Sequence, residues 1–278
     1  MFFLSNRKGK APSRPISTAT LATFIAYLDI SGYAASTITT YVSAITYVHR
    51  LASLQDPANS FLIRKLLEGI NKRKPKKSPL LPISLDLLKA ILQVLDRKAD
   101  PYNQKLLKTA FSLAFYLCAR VGEIALSNGN LKNVIKLHQV SLLKRGSHVT
   151  RVKVTFLQFK HKKPRQESVR SITSSGDTFC PVKILQDYLQ VRGSQPGPLL
   201  LSKNKKVLKG ELLARELKVC LRELGLDETR YNTHSFRIGG ATEAAERGAT
   251  DTQLRLLGRW KSSAFLNYIR PNAFQFKY

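Results

Sequence analysis

The sequence predicts a mainly α-helical protein with a small antiparallel β-sheet, and two patterns support that prediction. Apolar residues recur at helical spacing over residues 17–71 and again from Ser84 to Cys118. Between His148 and Phe159, β-branched and aromatic residues instead alternate with polar ones, and Ser168–Thr173 resumes the alternation after a basic turn. We therefore expect helical units around one short sheet.

Three amphipathic helices are predicted in the first part of the chain. Their apolar stripes run over Thr18–Ile30, over Ser36 to about Ser53, and over Ser60–Ile70. The residues before them mix cations with prolines, which is typical of a disordered segment. We therefore expect a disordered basic tail over 1–16 and a helical domain over 17–71.

The rest of the chain is predicted to form one larger domain over residues 83–278. Its helices are predicted over Ser84–Leu95, Tyr102–Cys118, Pro181–Val191 and Lys209–Leu224, and its strands over Asn133–Leu143, His148–Phe159, Ser168–Thr173 and Leu199–Leu201. Three more helices follow, of which the second covers Thr250–Leu257 and the third starts at Ser262 or Ser263 and carries Tyr268.

The charge balance predicts a polyanionic partner. The 278 residues include 46 Lys and Arg against 18 Asp and Glu, a formal net charge of +28. Such a surface repels itself unless it meets the opposite charge, and nucleic acid is the leading candidate. A membrane partner is not expected, because the chain has neither a long basic amphipathic helix nor an apolar run near the ~18 residues of a membrane span.

The cysteines and acidic residues give no sign of a metal site. The three cysteines are far apart and form no Cys-x-x-Cys pair, so we expect a reducing compartment and neither a disulfide framework nor structural zinc. No acidic cluster suggests Mg²⁺. We expect no metal and no small-molecule cofactor.

A basic segment is predicted to link the two domains. Residues 72–82 fall in the run NKRKPKKSPLLP. A solvated linker, a phosphate-contacting strap and a nuclear localisation signal all fit this composition. The candidate DNA-binding residues are Lys72, Arg73, Lys74, Lys76 and Lys77. A eukaryotic chain is accordingly predicted to be nuclear, and any other chain to lie in the cytoplasm or nucleoid.

The motif of greatest chemical interest is His234-x-x-Arg237. Positions i and i+3 share one helix face, so a proton-transfer group lies beside a fixed cationic fork. That pair suits a phosphodiester, whose oxygens an arginine can hold while the histidine moves a proton. Downstream come Leu-Gly-Arg259-Trp260 and then Tyr268, nine positions after Arg259, whose phenol oxygen can act as a nucleophile. A chance HxxR and a packing tyrosine are the alternatives.

An arginine also follows the apolar helix that is predicted to end at Cys118. Burial of a guanidinium is costly unless it is paired, and Glu123 stands about one helical turn after Arg120. Either the two form a structural ion pair, or Glu123 holds Arg120 at a cleft where it binds phosphate. The second interpretation makes Glu123 a supporting residue of the site.

The predicted β-hairpin has a strongly basic tip. Lys160, Lys162, Lys163 and Arg165 lie between its strands. These cations repel one another unless they meet an anion, which makes them candidates for DNA contacts. A solvated loop is the alternative.

The order and spacing of these motifs resemble the tyrosine recombinase, or phage-integrase, family. The resemblance rests on Arg-x-x-Glu after an apolar helix, on His-x-x-Arg, and on Leu-Gly-Arg-Trp with a tyrosine nine residues after its arginine. It covers most of residues 17–271. The stretches HSFRIGGAT and LGRWKSSAFLNYIRP are most similar to the eukaryotic retroelement branch of the family.

The resemblance implies a fold, a reaction and a partner. The fold is a helical core-binding domain over 17–71, followed after the linker by an α+β catalytic domain over 83–278. The implied activity is that of a site-specific DNA recombinase or integrase of mobile-element origin. Such proteins cut and rejoin double-stranded DNA as homo-oligomers, tetramers on DNA, and need neither ATP nor metal.

The resemblance also implies a role for each candidate catalytic residue. Arg120 and Arg237 hold the scissile phosphate, and His234 accepts the proton of Tyr268. The tyrosine oxygen attacks phosphorus and forms a 3′-phosphotyrosine link, which frees a 5′-hydroxyl. Lys160 protonates that leaving oxygen, and the other two lysines of the hairpin tip are alternatives.

One position departs from the family. Arg259 stands where His or Trp is usual, and an arginine can donate to phosphate but cannot shuttle a proton. We place Arg259 among the catalytic residues and Trp260, which can take over packing, among the supporting ones. Two other functions stay open. One is a DNA-binding derivative of a mobile-element recombinase without catalytic activity, and the other is a type IB topoisomerase-like enzyme.

Overall fold

The computed structural model describes residues 15–73, 80–98, 100–127, 129–159 and 167–270. The described chain divides into two compact units, one on each side of its first gap. Each unit has its own hydrophobic core. Within the described ranges no helix is long and apolar enough to cross a membrane.

The N-terminal unit is built from three helices. They are α1 (Thr18–Ile30), α2 (Ala35–Leu51) and α3 (Phe61–Arg73), with a 3₁₀ turn at Pro57–Asn59 before α3. The fully buried residues of the core are Leu21, Ile25, Ile38 and Ile63. The apolar stripes of the sequence therefore face one another, as amphipathic helices require.

The start of this unit is more ordered than its composition predicts. Ile16, which falls in the predicted disordered tail, donates its backbone N–H to Nε2 of His49 at 3.0 Å. His49 is buried, and its Nδ1 lies 2.9 Å from the carbonyl oxygen of Ile45. The end of the predicted tail is thus bonded to α2, while residues 1–14 lie outside the described ranges.

The third helix continues beyond its predicted end at Ile70. Lys72 pairs with Glu68 one turn earlier at 2.7 Å, and Arg73 pairs with Asp29 of α1. These ion pairs favour continued helix, so Lys72 and Arg73 belong to α3 and the predicted linker begins too early. The other predicted linker cations, Lys74, Lys76 and Lys77, lie outside the described residues.

The C-terminal unit is organised around its second helix. Its helices are α4 (Leu85–Asp96), α5 (Pro101–Tyr116), α6 (Val121–Ile124), α7 (Pro181–Arg192), α8 (Gly210–Glu223), α9 (His234–Glu246) and α10 (Asp251–Gly258). The central helix α5 is buried along most of its length and packs against α4, α7 and α9. Cys118, Cys180 and Cys220 are buried and form no disulfide.

The sheet of this unit has three antiparallel strands in chain order. They are β1 (Val140–Arg145), β2 (His148–Phe156) and β3 (Ser168–Thr173). On the central strand, Val154 pairs with Val140 on one side and with Arg170 on the other. This register places Arg170 beside the buried face of the sheet.

The first predicted strand starts too early. Residues 137–139 form a 3₁₀ turn instead. The side chain of Gln139 accepts the backbone N–H of Lys136 at 2.8 Å and donates to the carbonyl oxygen of Thr155 at 2.6 Å. A side-chain amide therefore bonds to the backbone here, and ladder pairing begins only at Val140.

The predicted strand Leu199–Leu201 is buried but irregular. It makes an isolated bridge to Val207 and no extended ladder. Arg192, the last residue of α7, donates to the carbonyl oxygens of Leu199 and Pro198 at 2.8 and 2.6 Å. Side-chain donors therefore replace part of the backbone pairing that a regular strand would make here.

Two adjacent glycines allow α9 to lie against the end of α5. A Cβ atom on Gly240 would lie 2.3 Å from the carbonyl oxygen of Phe115, and one on Gly239 would lie 1.8 Å from that of Ile83. No larger residue fits at either position without displacing backbone. This close approach brings the first turn of α9 next to the turn that follows α5.

Candidate active site

The first turn of α9 carries the His-x-x-Arg pair. Asn232 fixes the start of the helix, because its side-chain oxygen accepts the backbone N–H of His234 at 2.7 Å. Arg237 is fully buried and donates to the carbonyl oxygens of Cys118 and Gly258, the second at 2.6 Å. The guanidinium therefore joins three segments: α9, the turn after α5, and the end of α10.

Glu123 bridges two arginines. Its Oε1 accepts from Nη1 of Arg120 at 3.3 Å, and its Oε2 accepts from Nη2 of Arg259 at 2.6 Å. The side chain of Arg120 keeps 28% of its exposure, whereas those of Glu123 and Arg259 keep 3% and 1%. The buried pair thus anchors the carboxylate that holds Arg120 at the surface.

The position of Arg259 differs from the sequence-based expectation. We placed Arg259 among the catalytic residues because an arginine can donate to phosphate. In the structure the side chain is buried on Glu123, and its guanidinium carbon lies 3.8 Å from the centre of the Phe156 ring. Its backbone is left-handed (φ +57°) and ends α10. Arg259 therefore contributes to the site by holding Glu123.

Trp260 covers the guanidinium of Arg237. The guanidinium carbon lies 4.4 Å from the centre of the indole. A Cβ atom on Gly258 would lie 2.0 Å from this ring, so the indole can pack here only above a glycine. The packing of Trp260 therefore requires the glycine of the Gly-Arg-Trp sequence, independently of any resemblance to a family motif.

We predicted that Tyr268 lies within a helix. In the structure it instead comes directly after a 3₁₀ turn at Ser263–Asn267. The Thr242 hydroxyl of α9 lies 3.1 Å from the carbonyl oxygen of Tyr268 and 3.1 Å from the amide nitrogen of Arg270. These bonds tie the backbone around Tyr268 to α9. They replace the bonds that a continuing helix would make.

The ring of Tyr268 contacts three other side chains of the site. Its centre lies 5.2 Å from that of His234, 4.9 Å from that of Trp260, and 5.3 Å from the guanidinium carbon of Arg237. The tyrosine and the His-x-x-Arg pair, distant in sequence, therefore occupy one place.

The electrostatics of the site favour a neutral histidine and bound anions. Burial, together with the charges of Arg237 and Arg120, lowers the pKa of His234 from its usual value. Burial and the repulsion of Arg120 lower the pKa of Arg237 to about 10, which keeps it charged at neutral pH. Burial raises the pKa of Cys118 to about 12, so its thiol adds no negative charge.

Three buried donors of the site lack a hydrogen-bond partner in the described structure. They are Nε of Arg237, Nε of Arg259 and Nε1 of Trp260. A buried donor without an acceptor is costly, so such groups stand out against the rest of a folded chain. The unmet donor of Arg237 lies close to the like charges of Arg120 and Arg259, a setting that suits an anionic ligand oxygen.

The structure brings most of the predicted catalytic residues together. His234, Arg237 and Tyr268 are in contact, and Arg120 lies near enough to the first two to affect their pKa values. Glu123 and Trp260 support them. The predicted hairpin residues, Lys160, Lys162, Lys163 and Arg165, lie outside the described residues.

Arg170 also belongs to this site, although no sequence motif marked it. Its Nε donates to the carbonyl oxygen of Leu257 at 3.3 Å. The side chain is half-buried, and burial lowers its pKa. The sequence pattern could have indicated its burial, because alternate residues of a strand share a face and Arg170 lies on the same face as the buried Ile172.

Among the comparisons with known proteins, the solved structures bear on the fold. No protein-family model and no curated protein sequence matches the chain. Among solved structures, the Tn1549 transposon integrase in complex with circular intermediate DNA has a TM-score of 0.58 at 14% identity, over 95% of this chain and 84% of that chain.

Two other structures give a similar match. The XerH site-specific recombinase bound to palindromic difH substrate has a TM-score of 0.65 at 14% identity, over 92% of this chain and 67% of that chain. The lambda integrase dimer bound to a COC′ core site has a TM-score of 0.60 at 14% identity, over 96% and 68%. The predicted fold class is confirmed, while the retroelement branch stays a prediction.

Proposed function

We propose that this protein, which has the tyrosine recombinase fold, is a site-specific DNA recombinase that acts through a 3′-phosphotyrosine intermediate. The observation that carries the proposal is the contact of the Tyr268 ring with both the His234 ring and the Arg237 guanidinium, at 5.2 and 5.3 Å. A phenol, a neutral imidazole and a guanidinium supply a nucleophile, a base and a support for negative charge.

Arg120 and Arg237 hold the scissile phosphate in this proposal. Arg120 is partly exposed and is oriented by Glu123, so it meets the phosphate first. Arg237 lies deeper and has one donor, Nε, without a partner in the described structure. Two planar forks fix the non-bridging oxygens and stabilise the charge that accumulates on them as the new bond forms.

The cleavage step exchanges one phosphate ester for another. The oxygen of Tyr268 bonds to phosphorus and its proton passes to His234, whose lowered pKa keeps the imidazole neutral before the reaction. The bond from phosphorus to the 5′ oxygen breaks, and Lys160 gives that oxygen its proton. The strand rejoins when a 5′-hydroxyl attacks the phosphotyrosine. Because the ester is conserved, the proposed cycle needs no ATP.

The charge and the two-unit organisation support double-stranded DNA as the substrate. The net charge is +28, and the Tn1549 integrase, XerH and lambda integrase structures each contain DNA. We propose that the N-terminal unit is a core-binding domain and that the cations at 72–77 and 160–165 contact phosphates. We also propose that strands are exchanged within a tetramer of the chain on DNA.

One observation favours a second candidate, a DNA-binding protein without strand exchange. Arg237 is 0% exposed, both of its terminal nitrogens bind backbone carbonyls, and the rings of Trp260 and Tyr268 lie against it. A phosphate reaches this arginine only if those rings move. A chain in which they do not move binds DNA but does not cut it.

The experiment that separates these functions traps the covalent intermediate. The full chain is incubated with a pool of randomised duplexes that carry a nick, so that the short strand released by cleavage diffuses away and the tyrosine stays linked. Adducts that survive denaturation are isolated and sequenced. Tyr268→Phe is the test variant. Tyr102→Phe, which loses one hydroxyl bond to Leu201 away from the site, is the matched control.

The outcomes are distinct. A recombinase gives adducts with the natural chain and with Tyr102→Phe, none with Tyr268→Phe, and strand joining to a second duplex. Adducts that lead to relaxation of supercoiled DNA but never to joining indicate a topoisomerase-like enzyme. Retained duplex without any adduct contradicts the recombinase and leaves the DNA-binding function.

A further inference from the structure

The last turn of α10 is held by arginine side chains. The carbonyl oxygens of Arg255 and Leu256 accept the backbone N–H groups of Trp260 and Arg259. The next two carbonyl oxygens, of Leu257 and Gly258, have no such backbone donors among the described residues and accept from side chains instead. Positive charge at this end also complements the helix dipole.

Three arginines from different segments supply these side-chain bonds. Arg237 of α9 donates to Gly258 at 2.6 Å. Arg170 of β3 donates to Leu257 at 3.3 Å, while the contact of Arg259 with the same oxygen is longer, at 3.5 Å. Arg170 therefore supplies a hydrogen bond between β3 and the end of α10.

The turn held in this way leads directly to the proposed nucleophile. Trp260 follows it, and Tyr268 comes eight residues after Trp260. Neighbouring β2 contacts the same turn, since the Phe156 ring lies under the guanidinium of Arg259. The end of β2 and the start of β3 also flank the hairpin tip that contains Lys160.

We propose that Arg170 is a positioning residue, which fixes the end of α10 and thereby sets the place of the Tyr268 ring against His234 and Arg237. This inference rests on the proposed function, because it assigns Arg170 a part in the same cleavage step. Arg170 acts through Tyr268 and not through the proton donor on the hairpin.

The expected effect of Arg170 on the cleavage rate is large enough to measure. A displacement of about 1 Å at a reacting group can lower a rate on the order of 100-fold. Within the described part of the chain, loss of the Arg170 bond leaves the Leu257 oxygen with only the long contact from Arg259. The turn then gains freedom, and the chain from Trp260 to Tyr268 moves with it.

The test compares two leaving groups in the same duplex. The duplex recovered from the randomised pool is made with either oxygen or sulfur at the 5′ bridging position of the scissile phosphate. A thiolate leaves without taking a proton, so the sulfur substrate does not need the hairpin donor. Single-turnover cleavage and duplex affinity are measured for the full chain, Arg170→Gln, Arg170→Lys and Arg222→Gln. Arg222 is an exposed arginine of α8 that serves as the matched control.

We expect Arg170→Gln to slow cleavage about 10- to 100-fold on both substrates, with duplex affinity changed less than about twofold. Arg170→Lys keeps a cationic donor at the position and should recover part of the rate. Arg222→Gln should behave like the natural chain. An equal loss on oxygen and sulfur substrates is the signature of a misplaced nucleophile.

Three results would overturn the inference. An unchanged rate in Arg170→Gln removes the role altogether. If Arg170→Gln slows cleavage of the oxygen substrate but not of the sulfur substrate, Arg170 acts through the proton donor on the hairpin and not through Tyr268. A loss of melting temperature or affinity that accounts for the whole rate change, with no rescue by Arg170→Lys, assigns it to general stability. If the natural chain forms no adduct with either substrate, the proposed function itself fails.

Discussion

Two buried arginines of the C-terminal unit, Arg192 and Arg237, have the same exposure and opposite surroundings. Both are 0% exposed. Arg192 donates four hydrogen bonds to backbone carbonyl oxygens in the chain that follows α7. Arg237 donates two, keeps an Nε without a partner in the described structure, and is repelled by Arg120 and Arg259.

The difference separates a structural arginine from a site arginine better than burial does. A guanidinium that is nearly saturated by carbonyl oxygens stabilises the fold and has little left to offer a ligand. A guanidinium that is short of acceptors and close to like charges is stabilised when an anion arrives. Four predictions test this contrast, and their expected effects range from a large loss of stability to a small shift in a titration.

Glu123→Gln should have the largest effect on stability. The substitution removes the charge that pairs with Arg259, whose side chain is only 1% exposed, and leaves that guanidinium buried without a counter-ion. Breaking a buried pair in this way costs about 3–5 kcal/mol. Urea unfolding measures the loss. Glu228→Gln breaks an exposed pair with Arg222 and should cost less than about 1 kcal/mol.

Arg237→Lys should lower cleavage and spare binding. The lysine keeps a positive charge but loses the planar fork, so it cannot hold the backbone and a phosphate oxygen together. We expect the rate of adduct formation to fall about 100- to 1,000-fold, as for the loss of one transition-state donor. Quenched-flow cleavage of the nicked duplex measures it. A rate within a factor of about three of the natural chain contradicts the assigned role.

Arg192→Met should lower the stability of the fold and leave the cleavage rate unchanged. The substitution removes the donor of buried carbonyl oxygens and leaves them without that hydrogen bond, so it should lower the free energy of unfolding by about 2–3 kcal/mol. Because Arg192 belongs to no part of the site, the cleavage rate per folded molecule should not change. Denaturant unfolding and single-turnover cleavage below the melting transition measure the two effects. A slower rate in the folded variant would contradict the division between structural and site arginines.

The smallest effect is a shift in the titration of His234. Burial, Arg237 and Arg120 lower its pKa, so the folded protein takes up this proton at lower pH than the unfolded chain does. Stability from this group is therefore complete above the usual histidine pKa and decreases as pH falls below it. We expect the acid limb of cleavage to lie below the usual value of about 6.5.

Nuclear magnetic resonance can follow this titration directly. The His234 ring signal is assigned by its loss in His234→Gln, and its midpoint is measured with and without Arg120→Gln. Removing the neighbouring cation should move the midpoint upward, towards the usual value. A midpoint that starts at or above the usual value would contradict the described environment.

Local signals predicted much of this molecule. The bounds of α1 and β3 follow from periodicity, and the helix predicted to start at Ser84 does begin there, with Ser84 as the N-cap of α4. His234 and Arg237 lie on one helix turn because helical geometry alone requires it. In each case the deciding interactions lie within a few residues of one another.

What the sequence did not reveal depends on distant partners. The burial of Arg259 needs Glu123, 136 residues away, and the backbone around Tyr268 leaves the predicted helix because Thr242 binds it. Arg170 finds its acceptor 87 residues later in the chain. None of these pairings has a local pattern, since they are set by how α9, α10 and the sheet pack together.

The place of Trp260 has one practical consequence. It is the only tryptophan of the chain, and its indole contacts both the Arg237 guanidinium and the Tyr268 ring. The fluorescence of the unlabelled protein therefore comes mainly from the site itself. A duplex that displaces these rings must change the emission, whereas one that only coats the basic surface leaves it as it was, so the chain carries its own optical reporter of engagement.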